Sequence, residues 1–135
     1  MSVEIDHLGI AVRSLEEGQA FYEGLLGMRV SAHESVSAEK VNVAMLPAGS
    51  AADAPRIELL AASDGNSVIS KYIENHGPGL HHIALRVDDL SAAVERLKAG
   101  GARILDEPRA GAGGHTYVFV HPASAGGVLI ELIQK

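Results

Sequence analysis

The sequence predicts an α+β fold built from two copies of one βαβββ module. The first observation is an internal repeat, because Ile5–Val12 resembles Leu80–Val87 with His7 and His82 75 residues apart. The second is that a helical pattern and then three strand-like segments follow each copy. The third is composition, since 47% hydrophobic and 21% charged residues suit a packed core rather than disorder.

In the first module, Ile5–Val12 is the predicted first strand. A helix is expected to begin at Ser14, because Glu17 three residues later completes a capping box, and to end at Gly27. Its predicted apolar face comprises Ala20, Phe21 and Leu25. The three strands that follow are predicted at about Met28–Val36, Val41–Leu46 and Arg56–Leu60.

In the second module, Leu80–Val87 is the predicted first strand, and Asp88 or Asp89 caps a helix that ends at Gly100 and Gly101. The helix carries an apolar stripe of Leu90, Ala93, Val94 and Leu97. Its three later strands are predicted at about Arg103–Leu105, Thr116–Val120 and Val128–Ile133.

A third helix, Val68–His76, is predicted to connect the modules, because Ile69, Tyr72 and Ile73 have helical spacing. We expect exposed loops at Gly49–Pro55 and at Ala110–Gly114, which has three glycines. The chain is interpreted as a single domain, 1–135. Module one covers about 1–62, the connecting helix about 66–77 and module two about 79–135.

Charge and composition exclude several classes of function. A net charge of −6 argues against a nucleic-acid partner, because phosphate binding needs a basic face. There is no cysteine, so a metal would need His, carboxylate or carbonyl ligands. The first six residues lack the basic and apolar regions of a signal peptide, and no segment has the ~20 apolar residues of a membrane span. We therefore expect a soluble, cytoplasmic protein.

Two carboxylates lie in apolar strand patterns. Every neighbour of Glu131 within Val128–Ile133 is apolar, and burying an unpaired carboxylate costs several kcal/mol. The alternative is an edge strand with Glu131 facing water. Glu58 repeats the pattern, although alone it is better explained as a surface residue paired with Arg56.

Two histidines complete the pattern. A lone strand histidine is more often structural than a ligand, and His81 competes with its neighbour His82. The repeat selects His82, because it aligns with His7. Strand alternation then places small residues, Gly9 and Ala84, on the same faces as the histidines and leaves room for a metal ion.

The four candidates together predict a metal site. His7 and Glu58 are 51 residues apart and His82 and Glu131 are 49 apart, so each module offers one His from its first strand and one Glu from its last. A pseudo-twofold would bring them into one metal-containing cleft. This ligand set suits Co²⁺, Mn²⁺, Zn²⁺, Ni²⁺ or Mg²⁺. An octahedral ion would keep two open positions and could act as a Lewis acid that stabilises an enolate.

At these positions the sequence resembles the vicinal-oxygen-chelate superfamily, also called the glyoxalase fold, over nearly the whole chain. The most widely shared segments are Ile5–Val12, Ile57–Leu60 and Gly79–Ala84. The more specific ones are Asp106–His115, Phe119–Pro122 and Gly126–Leu132, and these resemble the acyl-CoA epimerase branch of the superfamily.

The resemblance implies a metal-dependent isomerase that interconverts (R)- and (S)-methylmalonyl-CoA by moving the α-proton. It also implies that Glu131 is both a ligand and an acid/base, and that the protein is a homodimer. Some such epimerases carry a second Glu in the strand matching Val41–Leu46, which has none here. The second proton-transfer group therefore stays open between Glu39, water and the substrate carboxylate.

Coenzyme A recognition has no readable motif. Glycines 111, 113 and 114 could offer N–H groups to an anion, although a plain turn is the simpler interpretation. His115 and His121 are further candidate substrate contacts, although His121 and Pro122 also suit a strand end. Two other functions remain: another metal enzyme of this fold, a glyoxalase or a dioxygenase, and a metal-free small-molecule-binding protein. A fourth ligand, Glu58, argues against the dioxygenase, which needs three.

Overall fold

The computed structural model describes residues 2–111 and 114–135. The chain divides into two compact units. The N-terminal unit is His7–His81, and the C-terminal unit comprises His82–Lys135 together with the residues up to Asp6. Within the described residues, none of the helices has both the length and the apolar character needed to cross a membrane.

The N-terminal unit contains a βαβββ module followed by a helix. Strand β1 is Val3–Ala11, and its residues from His7 onward pair in parallel with β4, Arg56–Ala62. Strand β3, Val41–Pro47, pairs antiparallel with β4 and with β2, Ala32–Val36. The sheet order β2-β3-β4-β1 places the first and last strands of the module side by side.

The C-terminal unit repeats this arrangement. Strand β5, Gly79–Val87, pairs in parallel with β8, Leu129–Gln134, from His82 onward. Strand β7, Thr116–Val120, pairs antiparallel with β8 and with β6, Ile104–Ala110. The order β5-β8-β7-β6 is equivalent to that of the first module, so the predicted α+β fold with two βαβββ modules is confirmed.

The first helix begins as predicted but turns a different face to the core. Helix α1 is Leu15–Gln19, and the Ser14 hydroxyl accepts a hydrogen bond from the Glu17 N–H at 3.1 Å. It continues as a π-helix, Ala20–Leu25. The prediction that Ala20, Phe21 and Leu25 form the buried face is wrong, because all three are exposed.

The correct buried face of this helix carries a glycine. Leu15 and Tyr22 pack against the core, and Gly18 between them is buried. A Cβ on Gly18 would lie 2.8 Å from Leu59 Cδ1 and 3.1 Å from Val12 Cγ1, so a larger residue there would require these buried side chains to move. The segment after Gln19 has the wider i→i+5 spacing of a π-helix, marked by the hydrogen bond from the Leu26 N–H to the Phe21 carbonyl.

The other helices match their predictions. Helix α2 is Val68–His76, as predicted, and Ile69, Tyr72 and Ile73 pack in its core cluster. Helix α3 is Leu90–Ala99, capped by Asp89, whose carboxylate accepts from the Ala92 N–H at 3.0 Å. The whole predicted stripe of α3 lies in the core of the C-terminal unit.

Two strand boundaries differ from the predictions by more than two residues. Strand β2 begins at Ala32 rather than Met28, because Met28 and Val30 pack against the core before the chain enters the sheet. Strand β6 extends to Ala110 rather than ending at Leu105. It does so through an irregularity between Leu105 and Arg109, where Asp106 has a positive φ of 65°.

Each unit buries the face of its sheet that carries its crossover helix. In the C-terminal unit, α3 packs against apolar residues of β5, β7 and β8, among them Val87, Val118 and Leu132. In the N-terminal unit, α1 packs against Leu59 and its neighbours, and α2 covers part of the opposite face around Leu60. The predicted histidines and glutamates lie on the faces away from α1 and α3.

Candidate metal centre

The N-terminal unit brings His7 and Glu58 together. In the β1–β4 pair, Gly9 lies opposite Glu58, so Glu58 and His7 point to the same face. His7 Nδ1 lies 3.3 Å from Glu58 Oε2, and both residues are buried, at 6% and 7% exposure. The histidine and the glutamate that the sequence assigns to this module are therefore adjacent in the structure.

The C-terminal unit brings His82 and Glu131 together in the same way. Ala84 lies opposite Glu131 in the β5–β8 pair, which is the register that Gly9 and Glu58 have in the other unit. His82 Nε2 lies 3.4 Å from Glu131 Oε1. The Glu131 side chain is 13% exposed. The alternative that Glu131 faces water on an edge strand is wrong, because β8 lies between β5 and β7.

Arg56 contacts Glu58 directly. Its Nη2 and Nε donate to Glu58 Oε2 at 2.8 Å and 3.2 Å. The pairing of Glu58 with Arg56 is thus confirmed, but the surface position assumed with it is wrong, because the Glu58 side chain is only 9% exposed. One carboxylate oxygen, Oε2, therefore faces both the guanidinium and the His7 ring.

Each glutamate also has a large apolar neighbour on its other side. Met45 lies opposite Glu58 in the β3–β4 pair, and Phe119 lies opposite Glu131 in the β7–β8 pair. The Phe119 ring meets the His82 ring edge to face at 6.2 Å. Neither residue was predicted as part of the site, although each lies in the strand just before its glutamate strand, at equivalent positions of the repeat.

His81 belongs to a different environment from His82. Its ring meets the Tyr72 ring at 4.8 Å, and Tyr72 also stacks on His76 at 4.6 Å. Burial lowers the pKa of His81 below its ordinary value, and the nearby His76 lowers it further. The contacts with α2 make His81 a packing residue of the N-terminal unit.

A further carboxylate, Asp6, also escaped the sequence analysis. It is 1% exposed and lies 2.7 Å from Lys135 Nζ and 3.5 Å from Arg86 Nη1. Two cations around one buried carboxylate indicate a structural role in the C-terminal unit. The signal for this in the sequence is weak, because Asp6 follows Glu4 at the alternating polar position of the strand.

The other candidates for substrate contact or proton transfer are His121, His115, the glycine loop and Glu39. The His121 side chain accepts from the Ala123 N–H at 2.9 Å and caps the short 3₁₀-helix Pro122–Ser124, which supports the strand-end interpretation. His115 accepts from the Gly111 N–H through its carbonyl at 2.6 Å. Two residues of the predicted glycine loop, 112 and 113, lie outside the described residues. Glu39 is exposed in the turn between β2 and β3.

The donor set fits a divalent cation. Ligand bonds of about 2.1 Å place neighbouring donors of one ion about 3.0 Å apart at an octahedral angle and about 3.4 Å apart at a tetrahedral angle. The His–Glu separations of 3.3 Å and 3.4 Å lie close to the tetrahedral value and somewhat above the octahedral one. Imidazole nitrogen with carboxylate oxygen suits Zn²⁺, Co²⁺, Ni²⁺ and Mn²⁺. Each His–Glu pair can therefore supply two ligands.

The chain belongs to the Glyoxalase/Bleomycin resistance protein/Dioxygenase superfamily, whose family model matches residues 6–119. Its α+β fold of βαβββ modules is the fold of that superfamily, which is the vicinal-oxygen-chelate superfamily named above.

Within this superfamily, the chain is similar to methylmalonyl-CoA epimerases. It is 37% identical to mitochondrial methylmalonyl-CoA epimerase of Homo sapiens over 132 residues, which is 96% of this chain and 73% of the relative. It is 38% identical to ethylmalonyl-CoA/methylmalonyl-CoA epimerase of Cereibacter sphaeroides over 133 residues, which is 96% of each chain.

The chain is also similar in structure to a methylmalonyl-CoA epimerase of known structure. A variant of methylmalonyl-CoA epimerase from Streptomyces coelicolor, in complex with 2-nitronate-propionyl-CoA, superposes with a TM-score of 0.85. It is 35% identical, and the match covers 97% of this chain and 96% of that chain.

Proposed function

We propose that this protein is a metal-dependent isomerase that interconverts the two epimers of methylmalonyl-CoA. The observation that carries the proposal is the repeated His–Glu pair, which has one register and nearly one separation in both units. The full-length similarity to methylmalonyl-CoA epimerases supports the choice of substrate.

The proposed metal ligands are His7, Glu58, His82 and Glu131, which would hold one divalent cation, with residues 1–135 acting as a single domain. Co²⁺, Mn²⁺, Zn²⁺, Ni²⁺ and Mg²⁺ are the candidate ions. The bound cation would supply Lewis acidity, which makes the α-proton of a coordinated thioester more acidic.

Glu131 is the proposed proton-transfer residue. Its side chain is 13% exposed, so substrate can reach a carboxylate that is otherwise shielded from water. A carboxylate removes the α-proton, and an acid on the other face returns one to give the opposite epimer. The nitronate bound by the Streptomyces coelicolor relative is a planar anion with the shape and charge of an enolate, which fits this chemistry.

The second acid/base is proposed to be water or the carboxylate of the substrate. Strand β3 has no Glu, and at the position opposite Glu58 it carries Met45, whose thioether cannot transfer a proton. Glu39 stays a weaker candidate because it lies in an exposed turn.

The test is incorporation of deuterium at C2 of methylmalonyl-CoA, followed by NMR in D₂O. Untreated, chelated and Co²⁺-restored enzyme are compared, and the two epimers are separated chromatographically. Exchange and epimer conversion should disappear together on chelation and return together with Co²⁺. Isomerisation of a glutathione hemithioacetal without exchange would assign a glyoxalase instead. No turnover in any metal state would favour a metal-free binding protein.

The oligomeric state and the cellular location of the protein are also proposed. We propose a homodimer, which the exposed edge strands β2 and β6 are consistent with. We also propose a cytoplasmic enzyme, consistent with the absence of cysteine. Light scattering and cell fractionation test these two points separately from the activity.

A further inference from the structure

We propose that Arg56 is a positioning residue of the metal site, which holds Glu58 in the orientation that binds the cation. The inference rests on the proposed function, because it requires Glu58 to be a ligand. It goes beyond the ligand set by assigning a role to a residue that only one of the two modules contains.

The first observation is the contact itself. Two guanidinium nitrogens of Arg56, Nη2 and Nε, donate to one oxygen of Glu58 at 2.8 Å and 3.2 Å. Charge-assisted bonds of this length fix a carboxylate in one rotamer more firmly than neutral hydrogen bonds do. A carboxylate has about four lone-pair positions, so Glu58 can accept from Arg56 and still bind a cation.

The second observation is the position of Arg56 in the sheet. Arg56 lies opposite His7 in the β1–β4 pair, and it is two residues before Glu58 on the same face. Its side chain is 24% exposed, against 9% for Glu58, so the guanidinium is more accessible to solvent than the carboxylate that it contacts. A charged group there can support Glu58 without filling the space between the two ligands.

The third observation is an asymmetry between the modules. The residue opposite His82 in the β5–β8 pair is Leu129, which is the equivalent of Arg56. The two His–Glu pairs are otherwise matched in register. The repeat therefore gives Glu58 a cationic neighbour at a position where the strand of Glu131 has an apolar residue.

This asymmetry separates the tasks of the two glutamates. Arg56 anchors Glu58, which suits a ligand that stays bound throughout the reaction. At the equivalent position beside Glu131, Leu129 has no charged group to offer, so the two glutamates differ in this one neighbour. Groups that hydrogen-bond to metal ligands typically contribute 10- to 100-fold in metal affinity.

The test is calorimetric titration of the metal-free protein with Mn²⁺ or Co²⁺. We expect Arg56→Leu, which copies the residue of the other module, to weaken binding about 10- to 100-fold. Arg56→Lys should recover part of the affinity, because the ammonium keeps the charge but not the two-pronged contact. Arg13→Leu is the matched control, since it removes an exposed arginine of the same unit and should leave affinity unchanged.

A double-mutant cycle separates positioning from a general structural effect. In a Glu58→Gln background, Arg56→Leu should change the metal affinity by less than about threefold, because the carboxylate that it orients is gone. In a Glu131→Gln background, Arg56→Leu should keep its full effect. Circular dichroism of each variant checks the fold, and Arg56→Gln replaces Arg56→Leu if the latter does not fold.

Three outcomes overturn the proposal. Unchanged or tighter Mn²⁺ binding by Arg56→Leu would remove Arg56 alone and leave the metal site standing. An equal effect of Arg56→Leu with and without the Glu58 carboxylate would make Arg56 merely structural. Absence of stoichiometric metal in the unmodified protein would overturn both this inference and the proposed function, which the deuterium experiment tests independently.

Discussion

Gly9 lies directly opposite Glu58 in the parallel pair β1–β4. Ala84 and Glu131 have the same relationship in β5–β8. In both units a small residue stands beside the carboxylate, and Ala84 is fully buried there. The histidine two residues earlier can therefore reach the glutamate without an intervening side chain.

Filling that space should disrupt the site while sparing the fold. We expect Gly9→Val to reduce metal occupancy and epimerase turnover at least tenfold, because its branched side chain would stand between His7 and Glu58. Metal analysis after dialysis and the deuterium assay are the measurements. Gly65→Ala is the control, since a Cβ there meets nothing within 4 Å. Normal metal content in Gly9→Val would show that the pair does not bind the ion.

Removal of either histidine should remove the metal. His7→Ala and His82→Ala are each expected to lose stoichiometric metal and activity while they keep a native circular dichroism spectrum. His33→Ala is the control, because His33 is exposed and bonds to Gln19. Tight metal binding by a protein that carries both changes would refute the four-ligand site.

Glu131→Gln distinguishes the two proposed roles of that residue. The amide can still offer an oxygen to a metal but cannot take a proton, so we expect turnover to fall about 10²–10⁴-fold beyond the loss in metal occupancy. The rate per bound metal, measured after saturation with Co²⁺, is the quantity to compare. Glu58→Gln is the matched variant and should lose mainly metal affinity. Full activity of remetallated Glu131→Gln would remove Glu131 from proton transfer.

The repeat explains why much of the fold and the two His–Glu pairs were predictable. His7 aligns with His82, and the strands that carry Glu58 and Glu131 follow at nearly equal distances. Alternation along a strand then fixes which side chains share a face. Together, the repeat and the alternation predict that each unit places its histidine and its glutamate on the same face of the sheet.

The sequence was less informative where local geometry departs from a regular period. The buried face of the first helix carries Leu15, Gly18 and Tyr22, and because one of these is a glycine, the hydrophobic pattern favoured Ala20, Phe21 and Leu25 instead. The irregularity at Asp106 extended β6 past a segment that contains a proline. The contact between Arg56 and Glu58 was foreseen, but its burial depends on neighbouring strands that spacing does not reveal.

The close approach of α1 to β4 gives a prediction about stability alone. Gly18→Val should lower the free energy of unfolding by about 1–3 kcal/mol, because its Cβ would lie 2.8 Å from Leu59 Cδ1 and force the helix away from the sheet. Urea denaturation followed by circular dichroism measures the change. Gly24→Ala is the control, since its Cβ would be 3.9 Å from the nearest atom and the substitution restricts the unfolded chain.

The metal affinity of folded Gly18→Val should be near that of the unmodified protein, because Gly18 packs on the sheet face opposite to His7 and Glu58. An unchanged midpoint for Gly18→Val would mean that α1 can shift away from Leu59 at no cost.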